Sequence, residues 1–363
     1  MKGGNTMKWA SKTLMLAASV WVFQGTMPGT PGSAEAQTKP YYEGKTILVI
    51  VGSGPGAGND IRTRLFARHA ARHLPGKPQL VVQNRSGGGG LRARNYLYNI
   101  AKPDGLTIAE IIRGTGLQHA IGEKAARFKA DKFNWIGNLT TATAICTGRI
   151  DRVGANLEEA IKLSKKTQLR DGETSGNSTG AAIGKMLKRF TGINTRLVVG
   201  YQGGAPIDLA MEKGEVDMRC GFVWSSAKTR KRHWFARLGS EKPFTSVLVQ
   251  IATKRHPELS DVPTLIELAP DKASKDVAEM LTLTYRNAYP MLAPPGTPKH
   301  VVKILRDAFW ATVKDPQYLA DAKKIGYLDD EPLRGQEVQE LIGKIVSAPE
   351  KSRKLMAEII AEQ

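Results

Sequence analysis

Cysteine is almost missing from this chain, with only Cys146 and Cys220 in 363 residues. Two thiols cannot make a disulfide framework or a four-thiolate metal site, which leaves either one disulfide or two separate buried thiols. Histidine is also sparse, with six scattered residues. His69 and His73 stand four apart in "RHAARH", but the Glu of H-E-x-x-H and any further ligand are missing. An exposed helix face is expected there, and no metal site. No histidine stands where a nucleophile–base pair can be argued, and Ser175 lacks the glycine that G-x-S-x-G requires before it. The sequence therefore makes no case for an enzyme. Acidic residues are outnumbered, 34 against 53 Lys and Arg, for a formal charge of +19. Such a balance suits nucleic acid, an anionic membrane surface or a small anion. The densest basic patch, "KTRKRHWFAR" from Lys228 to Arg237, is not a basic block with interleaved aromatics. It reads as solvated surface charge, and no nucleic-acid partner is expected.

Long apolar runs are confined to the beginning. Lys2, Lys8 and Lys12 precede an apolar stretch from Leu14 to Phe23, and small residues follow up to Ala34-Glu35-Ala36. This is the pattern of a secretory signal over residues 1–36, cut before Gln37 and too short for a permanent membrane span. Met7 serves equally well as the start. The leader's three lysines and one glutamate account for two of the net charges. The expected product is soluble and exported, to the periplasm in a Gram-negative cell, and long enough for two domains with their own cores.

Beyond the leader, strand-like and helix-like segments alternate, which predicts an α/β fold with mainly parallel sheets covered by helices. Strands are expected at Leu48 to Val51, "QLVVQN", "LTIAEII", "TAICT", "TQLR", "TRLVVG", "VDMRCGF" and "SVLVQIA". Helices are expected over Asp60 to Leu74, Leu91 to Ile100, Thr179 to Phe190, Lys299 to Lys314 and Gln336 to Glu362. Ile183, Met186, Leu187 and Phe190 carry the spacing of a core-facing stripe.

Three glycine-rich turns each join a strand to a helix. The first, Gly52-Ser53-Gly54-Pro55-Gly56-Ala57-Gly58-Asn59, fits the loose dinucleotide pattern G-x-G-x-x-G/A. The acidic residue that should end the next strand is missing, since that strand closes with Gln83-Asn84-Arg85, and no G-K-[ST] follows to make a P-loop. What remains is a turn whose backbone N–H groups and helix N-terminus can face an anion, or one whose glycines serve turn geometry alone. The arrangement recurs at Thr174-Ser175-Gly176-Asn177-Ser178-Thr179, where hydroxyls join the amides or act as N-caps, and at Gly200-Tyr201-Gln202-Gly203-Gly204. Two lobes with facing helix N-termini form a cleft for a small anion, and no cofactor is expected.

Several segments in order then resemble a known family. "GND" followed by Arg64, "VVQNRSGGGGLRARNYLYNIAKPDGLTI", "VVGYQGGAPIDLAMEKGEVDM", "LSDVPTLIEL" and "LAPPGTPKHVVKILRDAF" are similar to the tripartite tricarboxylate transporter substrate-binding proteins, the TctC-like Bug receptors. The resemblance runs from Tyr41 to about Ile345. It implies a two-lobed periplasmic-binding-protein fold of type II, with lobe one at residues 41–141 plus 245–363 and lobe two at 142–244. It also implies a monomeric receptor that takes a small organic carboxylate and works with membrane subunits of the transporter. The ligand loops it implies are Ser53 to Asn59 and Thr174 to Thr179, with Tyr201 and Gly203 beside them. Cys146 and Cys220 then fall on lobe-two strands near the crossover, within reach of a disulfide. The chain departs from the family where a Pro-Phe-Pro-Pro-like run becomes Gly52-Ser53-Gly54-Pro55, and where Ser178 and Ala182 stand in place of a glycine and a histidine. Arg113, after the third strand, is an additional candidate to pair with an anion. Two other functions share these features: a sensor feeding a two-component system, and a dinucleotide-dependent oxidoreductase using the Gly52 turn.

Overall fold

The computed structural model describes residue 1, residues 39–327 and residues 331–362. The expected leader lies outside the described residues, Met1 apart. The chain from Pro40 onward forms one compact unit. Its strands are β1 (Thr46–Val51), β2 (Gln79–Asn84), β3 (Thr107–Glu110), β4 (Asn134–Asn138), β5 (Ala144–Arg149), β6 (Leu169–Glu173), β7 (Thr195–Val199), β8 (Met218–Val223), β9 (Thr245–Ile251), β10 (Pro290–Ala293) and β11 (Leu333–Arg334). The helices are α1 (Gly58–Ala70), α2 (Leu91–Asn99), α3 (Thr115–Ala120), α4 (Ile150–Val153), α5 (Leu157–Lys166), α6 (Thr179–Thr191), α7 (Gly204–Glu212), α8 (Trp224–Arg230), α9 (Lys272–Arg286), α10 (Lys299–Lys314), α11 (Pro316–Lys324), α12 (Gly335–Val346) and α13 (Glu350–Ala361).

The strands form two sheets, ordered β11-β4-β10-β3-β1-β2 and β7-β6-β8-β5-β9. In the first, β1 is parallel to β2 and β3, while β10, β4 and β11 join antiparallel. In the second, β6 is parallel to β7 and β8, and β5 runs antiparallel to β8 and β9. Two of the five pairings in the first sheet and two of the four in the second are thus parallel, and the strands that enter from the other sheet, β5 and β10, pair antiparallel on both sides. The chain passes between sheets after β4 and again after β9. β9 pairs with β5 along its whole length, so residues 245–251 sit in the second sheet and not with lobe one as the sequence suggests.

Local chemistry explains the elements. β1 is an unbroken apolar run with Ile47, Val49, Ile50 and Val51 fully buried, as a strand covered on both faces requires. In α6 the Ile183, Met186 and Leu187 stripe is fully buried. The expected helix from Gln336 to Glu362 is instead two, α12 and α13. Pro349 lacks the N–H that would continue the helix and disfavours helical backbone at Ala348 before it. His69 is buried rather than exposed: its Nε2 meets Asp321 Oδ2 at 3.0 Å while His73 Nε2 meets Asp315 Oδ2 at 2.8 Å, because α1 packs on α11. Among the described residues no group of three or more His, Cys, Asp or Glu is placed to hold a metal. The Lys228 to Arg237 patch is largely neutralised within the fold, Lys228 by Glu258, Arg230 by Asp208, Lys231 by Glu212 and Arg237 by Asp261. No described helix is long and apolar enough to cross a membrane.

Cys146 on β5 and Cys220 on the adjacent β8 are joined as a disulfide across 74 residues of sequence. A loop of that length costs the unfolded chain most when closed in advance, and the entropy account gives about 4 kcal/mol. Reduction, or Cys146→Ser with Cys220→Ser, is expected to lower unfolding free energy by roughly 2–4 kcal/mol. Urea melts with and without reductant check this.

Candidate functional site

A cavity of about 240 Å³ opens where the turn before α3, the turn before α6 and the ends of β6 and β8 converge. Gly89, Arg113 and Gly114 border it from the first sheet's side, and Thr174, Ser175, Asn177, Ser178 and Thr179 from the second's. Glu173, Arg219 and Gly221 reach it from the second sheet, Tyr285 from α9 and Ile360 from α13. Two glycines keep it open. A side chain at Gly221, whose φ is +71°, would begin 2.6 Å from the Tyr285 hydroxyl and 3.0 Å from Gly180 Cα. At Gly114, φ +105°, it would face Thr179 Cγ2 at 3.7 Å.

The first wall is shaped by Arg94, which α2 holds fully buried. Its Nη2 donates to the carbonyl oxygens of Ile112 at 2.8 Å, Gly89 at 3.1 Å and Arg113 at 3.3 Å, and its Nη1 donates to Gln118 Oε1. One guanidinium thereby satisfies turn carbonyls that would otherwise be buried without partners. Burial pulls the Arg94 pKa down to about 10, and the nearby Glu110 carboxylate opposes that shift. Glu110 is itself fully buried at the end of β3, where burial pushes its pKa up to about 8 despite the Asn59 hydrogen bond and the Arg113, Arg62 and Arg94 charges.

Arg113 is the cation left over. Its guanidinium lies 4.8 Å from the Tyr285 ring centroid and 5.9 Å from that of Tyr289, and its Nε is buried with no hydrogen-bond partner. Among the described residues no carboxylate forms an ion pair with it. A half-buried guanidinium with aromatic faces beside it and a cavity in front is a ready receptor for an anion.

The opposite wall is built by the β6 end and α6. Ser178 is the N-cap, its Oγ accepting from Ala181 N at 3.0 Å and donating to Glu173 Oε2 at 2.8 Å. Ser175 Oγ donates to Asn177 Oδ1, and Tyr285 donates to Thr179 Oγ1 at 3.2 Å. Lys185 pins the turn by donating to Gly176 O at 2.8 Å and to Ile360 O on α13. Below it Asp171 and Glu173 point to one face of β6, and Arg219 of β8 pairs with Asp208. Burial pushes Glu173 up to about 7, and burial with the Glu173 charge holds Asp171 well above the usual carboxylate range.

The structure brings together Arg113 and the Thr174 to Thr179 turn, but not Ser53 to Asn59. The first turn, Ser53, Gly54, Pro55, Gly56, Ala57, Gly58 and Asn59, does not line the cavity. One of its backbone donors, Gly56 N, is taken by the chain's own Asp60, which is buried at the start of α1 and also accepts from Asn84 Nδ2 and Arg64 Nε, at 2.9 Å each. An ionised carboxylate at the helix N-terminus opposes the approach of a dinucleotide pyrophosphate there. The turn borders the site only through Asn59 Nδ2, which donates to Glu110 Oε1 at 2.5 Å, and through Gly58 beside Tyr289. Tyr201 and Gly203 also lie off the cavity, which their neighbour Gly204 reaches. Arg94, Glu110, Glu173, Arg219 and Tyr285 were not foreseen. The available signal was two acids spaced i, i+2 in a core-bound strand, "RDGE", opposite an arginine in "MRCGF".

Residues 62–359 match the family described as tripartite tricarboxylate transporter family receptor. The chain belongs to that family. Membership makes it a solute-binding receptor and not an enzyme. It is 24% identical over 308 residues to a protein encoded in the tcbD-tcbE intergenic region of Pseudomonas sp. (strain P51), covering 82% of each chain. A protein from the TAR-I ttuE-ttuC' intergenic region of Agrobacterium vitis is 22% identical over 297 residues, 80% of this chain and 78% of that one. Among solved structures, periplasmic binding protein BugD matches with a TM-score of 0.64 at 20% identity over 86% of this chain and 97% of its own. MatC from Rhodopseudomonas palustris with bound malate gives 0.62 at 21% identity over 87% and 98%, and an R. palustris protein with adipate gives 0.64 at 21% over 86% and 97%. These likenesses establish the two-lobed α/β fold.

Two outcomes follow from the buried charges. Arg94→Met is expected to cost about 2–4 kcal/mol by orphaning the turn carbonyls and Glu110, with Arg94→Lys between it and the native protein in urea melts. The folded protein also holds protons on Glu110 and Glu173 that the unfolded chain, titrating near 4.5, gives up. Their contribution to stability is therefore full below that value, falls as pH rises toward about 7 to 8, and levels off above. Glu110→Gln is expected to flatten the fall in Tm across that window, and an unchanged slope would contradict the assignment.

Proposed function

We propose that this receptor captures a small organic carboxylate in the cavity between Arg113 and the Thr174 to Thr179 turn, in the periplasm, and delivers it to membrane subunits of a tripartite tricarboxylate-type transporter. The observation that carries the reading is the Arg113 guanidinium, which borders the cavity without an ion-pair partner among the described residues. The cavity volume suits a molecule of a few carbons, and the backbone N–H groups and hydroxyls of the α6 turn supply further donors. The malate and adipate held by structural neighbours are of that class. Export to the periplasm agrees with the basic, apolar and small-residue order of residues 1–36.

A thermal-shift screen of the purified protein against mono-, di- and tricarboxylates tests the reading, since a ligand that binds only the folded state raises Tm. At least one carboxylate is expected to shift the melt by several degrees. Arg113→Gln should then weaken that ligand about 10- to 100-fold in calorimetry, the worth of one charge-assisted hydrogen-bond partner. Full affinity in the variant would remove Arg113 from the site.

A further inference from the structure

A second depression, of about 570 Å³, lies along α2 and shares no lining residue with the ligand cavity. Three arginines line it: Arg85 just after β2, Arg92 on α2 and Arg127 from the loop after α3. Among the described residues none of the three guanidiniums has an ion-pair or hydrogen-bond partner, and Arg85 lies over the Tyr96 ring, its Cζ 3.7 Å from the centroid. The sequence supplies no acid to neutralise them locally. Between Asp60 and Asp104 the chain holds no Asp or Glu, so β2 and α2 carry no carboxylate. The one acid of the loop, Glu123, accepts from Ala125 N at 3.1 Å and borders the ligand cavity. Other arginines are spent on the chain's own acids, Arg149 on Asp151, Arg237 on Asp261 and Arg255 on Glu267. The groove is also held in shape. Asn95 donates to Ala125 O at 3.0 Å and accepts from Arg127 N at 2.9 Å, while Asn99 donates to Arg127 O at 2.8 Å. Two side-chain amides thus fix the Arg127 backbone against α2. Ile100, 69% exposed, adds an apolar surface to the same depression.

We propose that this groove docks an acidic peptide segment of a partner protein, its carboxylates meeting Arg85, Arg92 and Arg127 and an apolar side chain resting on Ile100 and Tyr96. The inference goes beyond the receptor reading, which concerns the cavity alone and would supply the segment from a membrane subunit of the transporter. Guanidiniums pair with carboxylates in a planar, two-pronged geometry, and each of these three has its donors free. One exposed pair contributes little, so recognition depends on three cations held around one concave surface together with an apolar contact. A bilayer fits less well: headgroups form a plane that meets projecting side chains, whereas these arginines surround a depression and one of them lies down on a ring. The position also matters for a receptor. Arg94 of the same helix is buried and binds the carbonyls of the cavity wall, so a segment docked on α2 rests against the element that shapes the ligand site.

The test is fluorescence anisotropy of the full protein with a labelled peptide of sequence DELDED, beside the serine variant DESDED and vesicles of phosphatidylglycerol in phosphatidylcholine. Arg92→Glu with Arg127→Glu is expected to weaken the first peptide about tenfold or more, with Arg92→Gln and Arg127→Gln between it and the native protein. Arg196→Glu with Arg232→Glu makes the same charge change at exposed arginines outside the groove, and is expected to weaken it less than about twofold. The serine peptide should bind the native protein about threefold more weakly, through the lost apolar contact. All variants should melt as the native protein does. Equal losses in the two glutamate variants would show that only net charge is read, and overturn the groove. Binding to the vesicles but to neither peptide, lost in the Arg92 and Arg127 variant, would assign the face to lipid instead and overturn the peptide. No peptide binding, with a carboxylate still shifting the melt, overturns the docking proposal and leaves the receptor reading standing. Peptide binding lost only in the groove variants supports the proposal even where no carboxylate shifts the melt.

Discussion

One buried guanidinium, that of Arg94, sets the shape of the cavity. It binds the carbonyl oxygens of Gly89, Ile112 and Arg113 at once, so the turn before α2 and the turn before α3 hold a fixed relation. Such turns have few ladder partners of their own, and a buried carbonyl without one costs free energy comparable to a lost hydrogen bond. Arg94 also helps explain why Arg113 is free. Around Glu110 the fold gathers Arg62, Arg94 and Arg113, three cations for one carboxylate that burial already resists ionising. The surplus positive charge falls on the member that faces the cavity, because Arg62 is held between the Tyr289 and Tyr327 rings and donates to Tyr327 O at 3.0 Å.

In the second sheet Asp208 takes both Arg219 and Arg230, while burial holds Asp171 and Glu173 toward the neutral form. The disulfide between β5 and β8 lies immediately beside Arg219, tying the strand that carries it to its neighbour. That side of the cavity therefore sets two buried acids beside a guanidinium, and both acids are easier to keep folded as neutral groups.

Much of the fold was legible because it rests on local patterns. Leu48 to Val51, the Ile183 stripe and the Lys299 to Lys314 helix follow from apolar periodicity, and the structure places them there. The order of segments also identified the family, which no single motif could do. What could not be read was long-range. β4 begins at Asn134 in a stretch with no alternation, and its pairing with β10 spans more than a hundred residues of sequence. The break at Pro349 was visible in the sequence, but the apolar periodicity on either side of it obscured the break. In the site, Arg113 and the Thr174 to Thr179 turn were legible because free donors after a strand are a local signature. Arg94, Tyr285 and Glu110 were not, since each acts through partners in other elements or turns.

The first and second glycine-rich turns differ in how the fold treats the acid beside each. α1 and α6 both begin on such turns, and both have a carboxylate from the chain near the helix N-terminus. Asp60 has three good donors, Gly56 N, Asn84 Nδ2 and Arg64 Nε, so its titration is lowered and its charge is fixed in place. Glu173 has one side-chain donor, the Ser178 hydroxyl, and lies deeper, so its titration is raised. The first helix thus begins on an acid held ionised by three donors, and the second beside an acid that burial pushes toward its neutral form. The glycines are alike in the two turns. What differs between them is how well the fold solvates its own acid.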